Sequence, residues 1–294
     1  MQNLFAQQTI QYIWSHPNCQ QQKFQSLFRF IGWQFYKRLF HKFIDIQIIP
    51  QVKIRCYPDS YSAGAVLYCG LYDYDEMNFL LRYLRDEDSF LDVGANVGVY
   101  TLLAASKIKS GLIYSFEALP KNYARLRENI QINQFKQVKP HSIAISNSAG
   151  STAFNLAEGD SMPFITSTAT NNTITIQTDT LDNLLREECL TSLTLAKIDI
   201  EGAEMLAFKG ATSLLKQQRP YVWIVEINDT VNHFGYQKQN VVDLLQDYGY
   251  GLYSYNAVTN QIDSITLEQK QRDNVLAIAN SALDFVRHRL SEGV

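Results

Sequence analysis

Four carboxylates at or near the ends of apolar runs, Asp92, Glu117, Asp199 and Glu226, are the side chains through which this chain could grip a ligand or move a proton. Phe90, Leu91 and Val93 form a run that stops at Gly94, and apolar spacing resumes at Val97, Val99, Leu102 and Leu103. That pattern is a strand, a tight turn through Gly94, Ala95, Asn96 and Gly98, and a helix start. A second run, Leu112 to Phe116, ends in Glu117, at the separation where a carboxylate on the following strand grips the two hydroxyls of a ribose. In a third, Leu193 to Ile200, the alternation Lys197-Ile198-Asp199-Ile200 points Asp199 away from the two isoleucines. A fourth, Tyr221 to Ile227, ends at Glu226, with Asn228, Asp229 and the loop residue His233 beyond it.

The first turn restricts the ligand. A dinucleotide fingerprint needs a second glycine where Asn96 stands, so that the backbone can approach a pyrophosphate closely. A phosphate loop needs Gly-Lys-Ser/Thr, which is absent. Asn tolerates a left-handed backbone, so the turn survives and suits a nucleoside with a zwitterionic tail. The structural alternative is that Asp92 caps the following helix and Glu117 is a solvated strand end. An NAD-dependent oxidoreductase is disfavoured by Asn96.

The stretches Leu91-Asp92-Val93-Gly94-Ala95-Asn96-Val97-Gly98, Phe116-Glu117 and Leu195-Ala196-Lys197-Ile198-Asp199-Ile200-Glu201-Gly202-Ala203-Glu204 resemble the successive motifs of the FkbM-type methyltransferases, a branch of the class I S-adenosylmethionine enzymes. The resemblance spans about Leu71 to Ala279. It implies a doubly wound, Rossmann-like α/β fold with a seven-stranded, mostly parallel sheet, and methyl transfer to a hydroxyl of a sugar, glycan precursor or secondary metabolite. It also implies that Asp92, Gly94, Ala95, Asn96, Gly98, Tyr100, Glu117 and Ala118 line the S-adenosylmethionine site, Ala118 standing where the family often has Pro. By the same resemblance, Tyr72 and Asp75 or Glu76 lie over the amino-acid end of the cofactor, and Ala144 and Ile145 lie beside the adenine.

Methyl transfer from a sulfonium to a hydroxyl is an in-line displacement that requires alignment and removal of the hydroxyl proton. Asp199 is the first candidate for the base. Glu226 ends the adjacent strand and could share the pocket or pair with Lys197, and His233 could be a mobile base. Asp199 with Glu226, Asn228 or Asp229 also offers the oxygen donors that hold Mg²⁺ with several waters against a vicinal diol. The preferred reading has no metal. A non-catalytic module that keeps the cofactor pocket is the alternative from another class, and the presence of Asp92, Glu117 and Asp199 argues against it.

The elements that must position these residues fit one large domain. The chain has 294 residues, 46% of them hydrophobic, enough for a full α/β core at residues 71–294, with residues 1–70 an aromatic and basic extension and lead-in. A net charge of -3 gives no field for attracting nucleic acid. Cys19, Cys56, Cys69 and Cys189 are scattered, without a Cys-x-x-Cys pair or histidines at ligand spacing, which argues against zinc or a disulfide framework. No signal-peptide pattern or long apolar run is present, and a cytoplasmic location is expected.

From Lys23 to Ile44 the positions Phe24, Leu27, Phe28, Ile31, Phe35 and Leu39 recur at helical spacing, with Phe30, Trp33 and Phe40 widening the face. That face is expected to cap the core, form a homodimer or lie on an anionic membrane. Tyr57 to Tyr74 reads as strands or loops, Asp75 to Arg85 and Pro120 to Asn133 as helices, and Val138 to Ile145 as a third core strand. Residues 146–178 form an insertion shaping the acceptor pocket, with strands at Thr152 to Leu156 and Thr173 to Gln177 around a polar stretch, Ala157 to Asn172. Helices follow at Leu181 to Glu188, Ala203 to Lys216 and Val241 to Tyr248, then strands at Leu252 to Tyr255 and Asn274 to Ala279, and a closing helix at Leu283 to Leu290.

Overall fold

The computed structural model describes residues 2–155, 164–166, 173–186, 188 and 190–292. The chain opens with α1 (Gln2–Ser15), α2 (Lys23–Phe40), a hairpin of β1 (Ile44–Ile49) and β2 (Val52–Cys56), and α3 (Tyr61–Cys69). The segment expected as strands or loops is therefore mostly helix. Ser60 accepts a hydrogen bond from the Ala63 amide at its start, Ala63 and Val66 are buried at helical spacing, and Gly70 ends it with φ +69°. Helix α2 forms where expected but turns the other way. Its buried side is Ser26, Phe30 and Trp33, and the stripe Phe24, Phe28, Ile31, Phe35 and Leu39 faces outward.

Strict alternation follows: α4 (Tyr74–Tyr83), β3 (Ser89–Val93), α5 (Val99–Lys107), β4 (Ile113–Phe116), α6 (Pro120–Ile132) and β5 (Val138–His141). Every residue of β3 and β4 is buried, as strands covered on both faces must be. Strand β5 stops at His141, short of the expected Ile145. Pro140 lacks a donor and is suited to this edge position. The chain then leaves the sheet, and β6 (Ala144–Ile145) pairs with β9 (Thr173–Asp179) in a second sheet that also contains β7 (Gly150–Asn155) and β8 (Phe164–Thr166), in the order β6-β9-β7-β8. Most of the stretch Ala157 to Asn172 lies outside the described residues.

After α7 (Leu181–Leu184) and β10 (Leu193–Ile198), the expected single helix is two, α8 (Glu204–Lys209) and α9 (Thr212–Lys216), before β11 (Val222–Glu226). The break is at Gly210, where a Cβ would lie 2.1 Å from the carbonyl oxygen of Ser146. Helix α10 (Lys238–Asp247), β12 (Tyr250–Asn256), β13 (Gln261–Ser264), β14 (Asn274–Ala279) and α11 (Leu283–Glu292) complete the chain.

The main sheet has eight strands, one more than expected, in the order β13-β12-β14-β11-β10-β3-β4-β5. The extra strand, β13, is a polar hairpin edge with a single buried residue, too weak a pattern to read from sequence. Strands β11, β10, β3, β4 and β5 are mutually parallel, and β14 runs against them. The connections run outward in both directions from the neighbouring pair β3 and β10, so a ligand crevice forms beyond their carboxyl ends. One further juxtaposition departs from the sequence reading: His16, Cys19 and Cys69 meet in the interior.

Candidate active site

Strands β3 and β10 lie in register with Asp92 opposite Lys197. Past the end of β3 the chain turns through Gly94 and Asn96 at φ +84° and +51°. A Cβ on Gly94 would sit 1.9 Å from the Asp199 carbonyl oxygen, and one on Gly98 would sit 2.6 Å from Leu126. These glycines admit the neighbouring elements, and the turn is thereby pressed against the end of β10. The Gly94 and Ala95 amides both donate to the Phe116 carbonyl, at 3.0 and 2.9 Å, which ties the turn to β4.

Glu117 is held in place by the same turn. The Asn96 amide donates to one carboxylate oxygen and the Leu119 amide to the other, each at 2.7 Å. Burial pushes this carboxyl up to about 7 and the two amides oppose the rise. Each oxygen still has a lone pair to offer, so a preset, two-oxygen acceptor stands ready for a vicinal diol. That pair of acceptor oxygens fits the ribose of S-adenosylmethionine. Ala118 is partly exposed beside it, and the His141 ring stacks on Phe116 at 5.1 Å with Nε2 buried and unpartnered. Ala144 and Ile145 are buried in the second sheet, beyond the end of β5.

Asp92 does not face the crevice as expected. It is buried, and its Oδ2 accepts the Thr101 hydroxyl at 2.5 Å, which in turn meets Ser115 at 2.7 Å. Burial raises its pKa while Lys197 and Thr101 lower it, so Asp92 fastens the start of α5 to the sheet. Asp75 is likewise engaged elsewhere. Its oxygens take the Ala257 amide at 2.8 Å and Arg272 at 2.5 Å, which pins α4 to the turn after β12. The carboxylate that faces the crevice from this segment is Asp73, which accepts the Tyr100 hydroxyl at 2.8 Å. Glu76 lies buried nearby, and burial followed by Asp73 pushes it up to about 7.

At the centre is Lys197, 4% exposed, with its Nζ 2.6 Å from Asp199 Oδ2 and 4.7 Å from the Tyr100 ring centre. Burial alone would lower its pKa, but Asp199, Asp92 and Asp73 outweigh it and push the ammonium up to about 12. Tyr72 stands among the same carboxylates, with burial, Asp73, Asp199 and Asp92 all raising its phenol. Its carbonyl accepts from the Tyr12 hydroxyl at 2.7 Å and from His16 Nε2 at 2.9 Å, so the N-terminal extension holds the roof of the crevice.

Glu226 ends the next strand with Oε2 buried and unpartnered. Burial first, then Asp199, Glu201 and Glu204, pushes it up to about 9, which favours its protonated form. Glu201 is pushed up to about 7 by burial and Asp199, and Glu204 takes the Ile200 and Gly202 amides at 3.0 and 3.2 Å. His233 is exposed on the helical turn Asp229–Phe234. Two members of the oxygen set considered for magnesium are engaged elsewhere. Asn228 caps the Thr230 amide at 2.9 Å, Asp229 pairs with Lys238 at the surface, and among the described residues no three His, Cys, Asp or Glu side chains of this crevice lie close enough to share an ion.

Sequence reasoning missed Asp73 and the part played by Lys197. A lysine inside a continuously apolar central strand was the available signal, because such a cation must find buried carboxylates. No comparable pattern singled out Asp73.

A family model described as the methyltransferase FkbM domain matches residues 92–252. A hexuronic acid methyltransferase, AglP, of Haloferax volcanii is 29% identical over 177 residues, covering 59% of this chain and 67% of that protein. Methyltransferase 1 of Beauveria bassiana is 27% identical over 146 residues, covering 42% and 59%. Among solved structures, the precorrin-6y C5,15-methyltransferase of Geobacter metallireducens aligns with a TM-score of 0.39 and 12% identity over 69% of this chain and 84% of that one.

Proposed function

Because the chain belongs to the methyltransferase FkbM domain family, we propose that it transfers a methyl group from S-adenosylmethionine to a hydroxyl of a sugar or glycan precursor. The observation that carries this is the Lys197–Asp199 pair at 2.6 Å, with one strand, β3, between it and the strand that ends in the preset Glu117 carboxylate. The sugar class is supported by the relative that is a hexuronic acid methyltransferase.

When bound, S-adenosylmethionine supplies a methyl on a positively charged sulfur. Glu117 would take the ribose hydroxyls, and the turn Gly94–Gly98 would fix where the nucleoside lies. Asp199, with 29% of its side chain accessible, would receive the proton of the acceptor hydroxyl as the oxygen–methyl bond forms and the methyl–sulfur bond breaks with the neutral thioether as leaving group, and Lys197 keeps that carboxylate in place. Asp73, Tyr100 and Tyr72 close the crevice beside it, and the protonated Glu226 can donate a hydrogen bond to an acceptor oxygen.

A second reading has one observation in its favour. Asp199 is tied to a lysine and Glu226 already holds a proton, so this crevice is also suited to an acceptor that needs no base, the carboxylate of a uronic acid. One experiment separates the two. The purified chain is incubated with S-adenosylmethionine, neutral sugars and uronic acids, and products are weighed before and after mild alkali. An alkali-stable methyl ether supports hydroxyl transfer, an alkali-labile ester supports the second reading, and absence of any methylated sugar overturns both.

A further inference from the structure

Helix α2 carries an outward stripe of Phe24, Phe28, Phe35 and Leu39, exposed by 70, 73, 64 and 72%, with Ile31 between them. Trp14 of α1 extends it, meeting Phe24 edge-on at 6.0 Å. A soluble surface does not leave so large an apolar face bare. Its charge identifies what covers it. Residues 1–44 contain Lys23, Arg29, Lys37, Arg38 and Lys42 and no Asp or Glu, although the whole chain is net negative. Among the described residues no carboxylate forms an ion pair with any of the five. Arg29, Arg38 and Lys42 are exposed, so two copies meeting through this face would bring six like charges together. An anionic lipid surface complements both the stripe and the cations. No described helix is long and apolar enough to cross a membrane, so α2 would lie in the interface plane. We propose that the outer face of α2 docks the enzyme on an anionic membrane.

The test is co-sedimentation of the full chain with phosphatidylcholine vesicles, with and without phosphatidylglycerol. Binding to the anionic vesicles only, weakened by salt, is expected. The surface variant Phe28→Ser/Phe35→Ser/Leu39→Ser should stay in the supernatant with an unchanged melting temperature, and each removal among Arg29, Arg38 and Lys42 should weaken partitioning about fivefold. Wild-type protein that stays in solution overturns the proposal. So does a dimer, seen by light scattering, that the triple variant splits.

A separate observation carries a second site. One ligating atom each from His16, Cys19 and Cys69 lies within 4.8 Å of the others, and all three residues are buried. His16 Nε2 meets the Tyr72 carbonyl, which can only accept, so Nε2 bears the hydrogen and Nδ1 keeps its lone pair. That Nδ1 is buried without a partner. A carbonyl orienting the far nitrogen is how ligating histidines are commonly held. Zinc bonds of about 2.0–2.3 Å would place such atoms about 3.5–3.8 Å apart, a slight closure of the cluster. The structure assigns to His16, Cys19 and Cys69 a zinc site that staples the turn between α1 and α2 to the end of α3, beside the Tyr72 carbonyl. Binding converts two thiols to thiolates and releases their protons to solvent.

Reduced, chelator-treated full chain is titrated with zinc chloride and, separately, cobalt chloride. One zinc per chain, thiolate-to-cobalt absorption and a rise in melting temperature are expected, all lost in Cys19→Ser or Cys69→Ser and kept in Cys56→Ser. The cobalt spectrum of the unmutated chain reads the site even where a variant folds poorly. Absence of that absorption, zinc uptake indifferent to Cys19→Ser, or a Cys19–Cys69 disulfide in a chain whose reduced form takes no zinc overturns the assignment.

Discussion

Lys197 Nζ and Asp199 Oδ2 stand 2.6 Å apart, Lys197 inside β10, a strand whose every residue is buried, and Asp199 just beyond its end. The pair links two otherwise separate tasks. The ammonium compensates Asp92 and Asp73 inside the fold, and it fixes Asp199, a carboxylate with 29% of its side chain accessible. Stability and chemistry at this site therefore share a cation.

Lys197→Met should remove the compensation for three carboxylates at once. Taking one partner from a buried ion pair costs about 3–5 kcal/mol, so urea unfolding should shift by that order. A midpoint unchanged from wild type would mean that those carboxylates are balanced by something else.

Asp199→Asn keeps the shape of the side chain and its contact with the cleft but removes the proton acceptor. Cofactor binding by calorimetry should be nearly unchanged, while turnover on a hydroxyl acceptor drops by about 10²–10⁴-fold. Near-normal turnover would move the reaction to the carboxylate acceptors of the second reading.

Glu117→Gln replaces one amide acceptor with a donor and removes the charge that meets the diol. Hydrogen bonds to a charged group are worth about 1.5–3 kcal/mol, so the cofactor Kd should rise roughly 10- to 100-fold. An unaltered Kd would place the ribose elsewhere.

Gly94→Ala introduces a Cβ at 1.9 Å from the Asp199 carbonyl oxygen at a backbone φ of +84°. Strain and clash together should destabilise the chain by more than about 2 kcal/mol and abolish cofactor binding. Thermal melts decide this, and a variant that melts with the wild type would show that the turn does not press on β10.

The pH dependence has a definite sign. Glu226 has a folded pKa of about 9 against an ordinary 4.5, so the folded state binds its proton more tightly than the unfolded chain does. That stabilisation is complete below 4.5 and is lost as pH rises through about 9. Glu226→Gln cannot ionise, and its melting temperature should gain on wild type steadily as pH climbs through this window. Parallel curves would show that Glu226 does not hold its proton.

The local sequence determined a great deal of this protein. Apolar runs broken at Gly94, Glu117 and Asp199 specify strand, turn and helix through short-range periodicity, and they place the acidic residues at strand ends before any packing is known. Asn96 disfavoured the diphosphate reading by its type alone. What the sequence could not determine was which oxygens remain free once the chain closes. Asp92 and Asp75 have the right type and spacing, but long-range contacts with Thr101, Ala257 and Arg272 consume them, and Asp73 takes the expected place. The same holds for α2, whose periodicity reveals a helix while only its packing partners decide that Phe30 and Trp33 turn inward and the phenylalanine stripe outward. Periodicity is a property of neighbours along the chain. Burial, pairing and proton affinity are properties of neighbours in space, and for Lys197 and Glu226 those come from β3, the end of β10 and the turn beyond it, α8 and the loop before α4.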